Sequence, residues 1–230
     1  MSEATRRHVA ETDGGSKGEP RRLVVLRHGQ TVSNLKGIWQ GHLDHELTDL
    51  GREQAAAAAR AIAALRPSRI VSSDLSRAHD TALAVAAASG DLDVAVDERW
   101  REIHAGAWQG LTAAEVGEQY PLDAERLVSG EDFKRGGHGE SLAELAQRVR
   151  PAIDELVDGM DPGETVVIAT HGVTGRTVVA ELVGLEQETA WRVLGGFGNC
   201  HWAVVEQGRT PMSGRRGWRI TQWNASAEGL

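Results

Sequence analysis

The sequence predicts an α/β fold: a three-layer α/β/α sandwich built on a central, mostly parallel sheet. Three observations point to it. Short strand-like runs at Leu23–Leu26, Arg69–Ser72, Val94–Val96 and Val166–Ala169 alternate with longer Ala- and Leu-rich stretches of helical period, the pattern of parallel strands with helices on both faces. The first and last of these runs are apolar throughout, as strands covered on both sides are. A chain of 230 residues can also bury a substantial core as a single α/β domain.

In chain order, residues 1–20 are charged and Gly-rich and are expected to form a disordered tail, leaving 21–230 as the folded domain. Gly14-Gly15-Ser16-Lys17-Gly18 matches the G-x-S-x-G spacing of serine hydrolases. That motif needs a strand before it and a helix after it, and neither is predicted there. The first strand runs into Arg27-His28-Gly29-Gln30-Thr31. Gly29 allows close backbone approach to a ligand, and Thr31 and Asn34 can cap a helix or donate to an anion. Lys36 to Leu47 reads as a polar loop containing histidine. Thr48 caps a helix to about Leu65 that buries Leu50, Ala58, Ile62 and Leu65, and Pro67 ends it. Leu75 to Ala88 is a second Ala-rich helix closed by Gly90, and Val94–Val96 leads into Arg99-Trp100-Arg101-Glu102. Gly110 to Gly139 is a polar insertion with short helical stretches and a Gly-rich end. Ser141 and Glu144 make a capping-box pair before Leu142, Leu145, Val149, Ile153 and Leu156, which repeat at helical spacing. Val173 to Val183 reads as a helix, and Ala203–Val205 and Arg219–Trp223 are the last strand candidates.

A net charge of −8 and a pI near 5.6 argue against general nucleic-acid binding but leave room for a local basic pocket. The single cysteine, Cys200, excludes an intrachain disulfide and suits a reducing compartment. With no apolar run of signal-peptide or membrane-spanning length, the expectation is a cytoplasmic protein with no membrane partner.

Two strands end alike, in Arg27-His28-Gly29 and Thr170-His171-Gly172. In one parallel sheet both histidines emerge at the same edge, where open α/β sheets place their ligands. Arg77, just past the second strand, adds another guanidinium to Arg27, and two such forks with backbone amides suit a tetrahedral oxyanion such as phosphate. Phosphate chemistry then lacks a carboxylate to protonate a leaving oxygen and activate water. Glu98 and Glu115 are rivals by composition, and position after a strand favours Glu102.

The blocks Arg27-His28-Gly29-Gln30-Thr31 with Asn34, Ser72-Ser73-Asp74-Leu75-Ser76-Arg77-Ala78, Arg101-Glu102 through Gly110-Leu111, and Thr170-His171-Gly172 occur in one order along the chain. Together they resemble the histidine phosphatase superfamily, in its phosphoglycerate-mutase-like branch. The resemblance implies His28 as nucleophile, Arg27, Arg77 and His171 around the phosphoryl group, and Glu102 as general acid and base. It further implies Thr31, Asn34, Gln40 and the Gly172 backbone as secondary substrate contacts, with no metal or other cofactor. Mutases of this branch carry an arginine pair in the insertion, and none occurs between Gly110 and Glu140, so hydrolysis is expected over mutation. A narrower likeness, to actinobacterial glucosyl-3-phosphoglycerate phosphatases, rests on Gln40-Gly41-His42-Leu43-Asp44, Leu194-Gly195-Gly196-Phe197-Gly198-Asn199 with Trp202, and Trp223-Asn224-Ala225-Ser226. It implies a small phosphate ester as substrate. Relatives with this fold often pair, so a homodimer is carried as an expectation.

Other readings of the same residues are a broad-specificity sugar or acid phosphatase, a mutase of the same fold, and a non-catalytic phospholigand-binding protein. A metal-dependent hydrolase would draw on His42-Leu43-Asp44-His45, but its leading histidine is Gln40 here. A cysteine phosphatase needs arginine six residues after its cysteine, and Glu206 stands there.

Overall fold

The computed structural model describes residues 20–209 and 216–227. The tail expected over 1–20 and its Gly14–Gly18 match therefore lie, Pro20 apart, outside the described residues.

Among the described residues six strands form one sheet in the order β3-β2-β4-β1-β5-β6. They are β1 (Arg22–Arg27), β2 (Arg69–Ser72), β3 (Val94–Val96), β4 (Thr165–Thr170), β5 (Trp202–Arg209) and β6 (Arg216–Ala225). The first four run parallel, and β5 and β6 close one edge antiparallel. Alternation along β1 and β4 sorts their side chains into two cores. Leu23, Val25, Val166 and Ile168 pack with the apolar stripe Leu142, Leu145, Val149, Ile153 and Leu156 of α6 (Leu142–Asp158) and with α7 (Gly172–Val183). Val24, Leu26, Val167 and Ala169 pack with α2 (Asp49–Ala63) and α3 (Ser76–Ala88). The result is the expected three-layer sandwich. No helix among the described residues is long and apolar enough to cross a membrane.

The caps are those the side chains dictate. Thr48 accepts from the Gly51 amide, Ser141 and Glu144 form the reciprocal capping box, and Gly90 takes the left-handed turn after α3. Thr31 and Asn34 form a second capping box on the short α1 (Val32–Lys36). The insertion holds α4 (Ala113–Gln119) and α5 (Pro121–Ser129), and α8 (Gln187–Val193), absent from the sequence expectations, follows α7.

Two expectations need correction. Leu50 is 49% exposed, because α2 turns Gly51, Ala55, Ala58, Ala59 and Ile62 inward instead. Gly29 makes room for a neighbouring backbone rather than a ligand. A Cβ there would sit 2.4 Å from the Gly51 carbonyl oxygen, and one on Gly51 would sit 2.2 Å from the Gln30 carbonyl oxygen. This contact seats the start of α2 directly on the histidine loop. Gly29→Ala is therefore expected to destabilise the fold by about 1–3 kcal/mol, as overpacking does. Urea unfolding measures it, and an unchanged midpoint would show that the contact yields freely.

Candidate active site

The register of the sheet builds the site. Arg27 of β1 pairs with Thr170 of β4, so His28 and His171 are each the first residue past a paired position on adjacent strands. Their ring centroids lie 5.2 Å apart, edge to face. On the other side of β4, Ser72 of β2 pairs with Ala169, which sets Ser73 and the start of α3 beside His171. A cleft of about 260 Å³ opens here at the strands' C-terminal ends. Arg27, His28, Asn34, Gln40, Arg77 and Glu102 supply its polar wall, and Ile38, Trp39, Ile103, Ala113 and Val173 its apolar one.

His28 is buried, and its Nδ1 lies 2.7 Å from the Gly29 carbonyl oxygen. A carbonyl only accepts, so Nδ1 carries the proton and Nε2 keeps the lone pair. Burial first, then the Arg77 and Arg27 guanidiniums, push the ring well below the usual imidazole range, against the opposing pull of the Gly29 carbonyl. The ring is held neutral. His171 is likewise pushed down by burial and then by Arg77, His28 and Arg27. Its Nε2 lies 2.9 Å from Ser73 Oγ, which already accepts from the Leu75 amide. Among the described residues no other acceptor lies within hydrogen-bond distance of the Ser73 hydroxyl, so its proton is directed at Nε2 and the neutral ring carries its own proton on Nδ1, which is buried without a partner.

Arg77 is fully buried on the first turn of α3. Its Nη1 donates to the Leu43 carbonyl at 2.8 Å and Nη2 to the Gly41 carbonyl at 2.9 Å, while Nε has no partner. Burial pulls its pKa down to about 10. Arg27 donates through Nη1 to the Phe197 carbonyl, and its Nε is likewise buried and unpartnered. Three buried N–H donors around one imidazole, with no carboxylate within ion-pair distance of either guanidinium among the described residues, form a cradle for an anion.

The Glu102 carboxylate stands over the N-terminus of α7. Oε1 accepts from the Ile103 amide at 3.0 Å, the Thr174 amide at 3.0 Å and Thr174 Oγ1 at 3.1 Å, and Oε2 accepts from the Val173 amide at 3.2 Å. Its backbone carbonyl takes hydrogen bonds from His42 Nε2 at 2.8 Å and Arg148 Nη2 at 3.1 Å. The rivals stand elsewhere: Glu98 is exposed against Arg101, and Glu115 completes the capping box of α4.

Of the secondary candidates, Asn34 and Gln40 line the cleft. Thr31 does not. It is buried beneath them, its hydroxyl directed at Asn34 Oδ1 (3.1 Å) and Gln40 Oε1 (3.0 Å), so it orients the amides that face the cleft. Gly172 lies against the Arg27 guanidinium, where a Cβ would stand 3.5 Å from Nε. The residues of the metal-site reading are drawn apart. His42 donates to Glu102, Asp44 accepts from Ser76, and His45 meets Ser33, and among the described residues no three such groups could hold a metal ion. Cys200 is buried, with its thiol pushed up to about 12.

Sequence reasoning missed the groups that position these side chains. Ser73 sits inside a quoted block but carries no visible signal of its role on His171, and the carbonyls that grip Arg77 leave no signature at all. Asn199, whose Nδ2 reaches the His28 carbonyl at 3.2 Å and Asn34 Oδ1 at 3.1 Å, lies in a quoted segment but was given no role there.

The depressed histidines fix a pH dependence. Burial is the first cause for His28, His171 and His42 alike, and the folded pKa of each lies below the ordinary value of 6.5. Below that pH the unfolded chain takes up protons that the folded chain refuses. Stability should therefore be flat above about pH 6.5 and fall as pH drops below it. Urea midpoints from pH 5 to 8 test this, and a midpoint constant down to pH 5 contradicts it.

The chain is similar over most of its length to several known proteins. A glucosyl-3-phosphoglycerate phosphatase of Mycolicibacterium vanbaalenii is 44% identical over 223 residues, covering 90% of this chain and 96% of the relative. One of Mycobacterium tuberculosis is 44% identical over 218 residues, with the same coverage. A solved structure of a mycobacterial glucosyl-3-phosphoglycerate phosphatase with VO3 superposes with a TM-score of 0.80 at 43% identity, covering 90% of this chain and all of that one. Residues 23–226 match the histidine phosphatase superfamily (branch 1), and the chain belongs to that family.

Proposed function

We propose that this phosphatase hydrolyses glucosyl-3-phosphoglycerate to glucosylglycerate and phosphate through a phosphohistidine at His28. The observation that carries the reading is the neutral His28 ring on the cleft wall, proton on Nδ1 and lone pair on Nε2, between two guanidiniums and facing the same cleft as Glu102. The substrate is supported by the names of the 44% identical relatives.

In this reading the Nε2 lone pair attacks phosphorus in line as the bond to the glycerate oxygen breaks. Arg27 Nε, Arg77 Nε and His171 Nδ1–H donate to the equatorial oxygens, where charge is spread in the transition state. Glu102 gives its proton to the departing alkoxide and, now a carboxylate, takes one from the water that attacks phosphorus in the second step. The products are the alcohol, inorganic phosphate and the original imidazole. The cradle is already assembled, so little reorganisation accompanies the chemistry.

A phosphate-release screen of glucosyl-3-phosphoglycerate, phosphoglycerates, sugar phosphates and an aryl phosphate tests the reading. The expected outcome is the highest kcat/KM for glucosyl-3-phosphoglycerate. Interconversion of 3- and 2-phosphoglycerate without net release of phosphate would overturn it.

A further inference from the structure

The sequence block Trp223-Asn224-Ala225-Ser226 belongs to the end of the edge strand β6, and among the described residues none of β6 lines the cleft. Asn224 nevertheless stands two contacts from the reacting groups. Its Oδ1 accepts from the Gly198 amide at 2.9 Å. His201 Nδ1 lies 2.9 Å from the same Oδ1 and 3.1 Å from the Asn224 carbonyl oxygen. Both oxygens accept, so Nδ1 carries the proton and donates to β6.

The segment held in this way, Phe197 to His201, grips both Arg27 and His28. The Phe197 carbonyl accepts from Arg27 Nη1, and the His201 carbonyl accepts from the Arg27 amide at 3.0 Å. The Cys200 amide and Asn199 Nδ2 each donate to the His28 carbonyl at 3.2 Å, and Asn199 Nδ2 also donates to Asn34 Oδ1 at 3.1 Å. Gly198 to His201 is a tight turn, closed by the His201 amide on the Gly198 carbonyl at 3.2 Å. Within it Cys200 takes φ 55°, a left-handed backbone that a side chain disfavours. Such a conformation persists only where the surroundings over-determine it. Here they are β6 and the His201 ring. A Cβ on Gly198 would stand 2.8 Å from three atoms of that ring, and Phe197 packs on Trp223 with ring centroids 4.5 Å apart. Asn224 is itself at φ 51°, a conformation asparagine tolerates better than most residues.

We propose that Asn224 is a positioning residue for phosphoryl transfer. By holding the Gly198–His201 turn it sets where the Arg27 guanidinium and the His28 ring stand relative to phosphorus. It acts through the turn alone. The proposal rests on His28 as nucleophile and Arg27 as phosphoryl donor, and not on which ester is the substrate.

The test follows turnover of p-nitrophenyl phosphate and its inhibition by orthovanadate and by inorganic phosphate, well below the melting transition of each variant. Asn224→Gly keeps the left-handed backbone and removes the side-chain acceptor. It should lower kcat by about 10–100-fold, the scale on which misplaced catalytic groups lose rate. Orthovanadate, which imitates the five-coordinate transition state, should lose affinity by a similar factor, and phosphate by much less. Asn224→Asp keeps an acceptor for both donors and should restore most of the lost rate. His201→Phe keeps a ring against Gly198 but cannot donate, and should lose about fivefold, the scale of one hydrogen bond. A kcat within twofold of wild type in Asn224→Gly overturns the proposal. So does an Asn224→Asp variant that falls equally far, or a folded Asn224→Gly that loses vanadate and phosphate alike. If Asn224→Gly does not fold, His201→Phe decides, and an unchanged kcat there overturns the proposal. A different best ester in the substrate screen would overturn the substrate reading while leaving these aryl phosphate ratios as they are. Normal phosphohistidine formation beside an unimpaired Asn224→Gly would overturn the positioning role alone.

Discussion

Replacing His28 with alanine is expected to lower kcat by at least about 10⁴-fold, the scale on which covalent catalysts lose turnover with their nucleophile. No neighbour can substitute. In His171 the Nε2 lone pair is engaged by Ser73, and the Cys200 thiol is pushed up to about 12 by burial. Acid-labile label transferred from 32P-substrate should appear on the wild-type protein and vanish in the variant. Label that persists in His28→Ala would move the nucleophile to another side chain. Because Arg27 and Arg77 remain, inorganic phosphate should still inhibit the residual activity or raise the melting temperature, which separates lost chemistry from lost binding.

Glu102→Gln is the second large effect. On an alkyl ester kcat should fall by about 10²–10⁴-fold, since an alkoxide leaving without a proton is a poor leaving group. An aryl phosphate needs little protonation to depart, so its first step should survive while attack by water slows. The expected signature is a rapid burst of phenolate followed by a slow steady state, read by stopped flow. Equal losses on both esters without a burst would remove Glu102 from the acid role. The variant carries a structural penalty too, because an amide NH2 in place of Oε2 cannot accept from the Val173 amide. About 1–3 kcal/mol of stability is at stake there, and unfolding curves separate it from the kinetic loss.

The fold was legible in the sequence wherever one segment carried its own periodicity. The β1 and β4 runs, the Ser141 capping box and the stripe of α6 needed nothing beyond local pattern. Strand ends were less legible. β1 begins at Arg22 and β4 at Thr165, because polar residues at a sheet margin are recruited by their partner's hydrogen bonds rather than by their own hydrophobicity. Leu50 misled for a related reason: an apolar residue at a helix start says nothing about which side the neighbouring strand covers. At the site, the residues with charge or an imidazole could be read from block order. The Gly41 and Leu43 carbonyls that hold Arg77, and the α7 amides that hold Glu102, could not, since every peptide carries them. Only the tertiary fold decides which ones converge.

The two imidazoles occupy equivalent posts, one step beyond a matched pair on neighbouring parallel strands. Side chains along a strand point alternately to opposite faces. Inserting or deleting a single residue inside β1 or β4 would therefore swing one ring through the sheet to the wrong layer, however conservative the composition. Length changes in this lineage should accumulate in the 110–139 insertion, while β1 and β4 keep a fixed count.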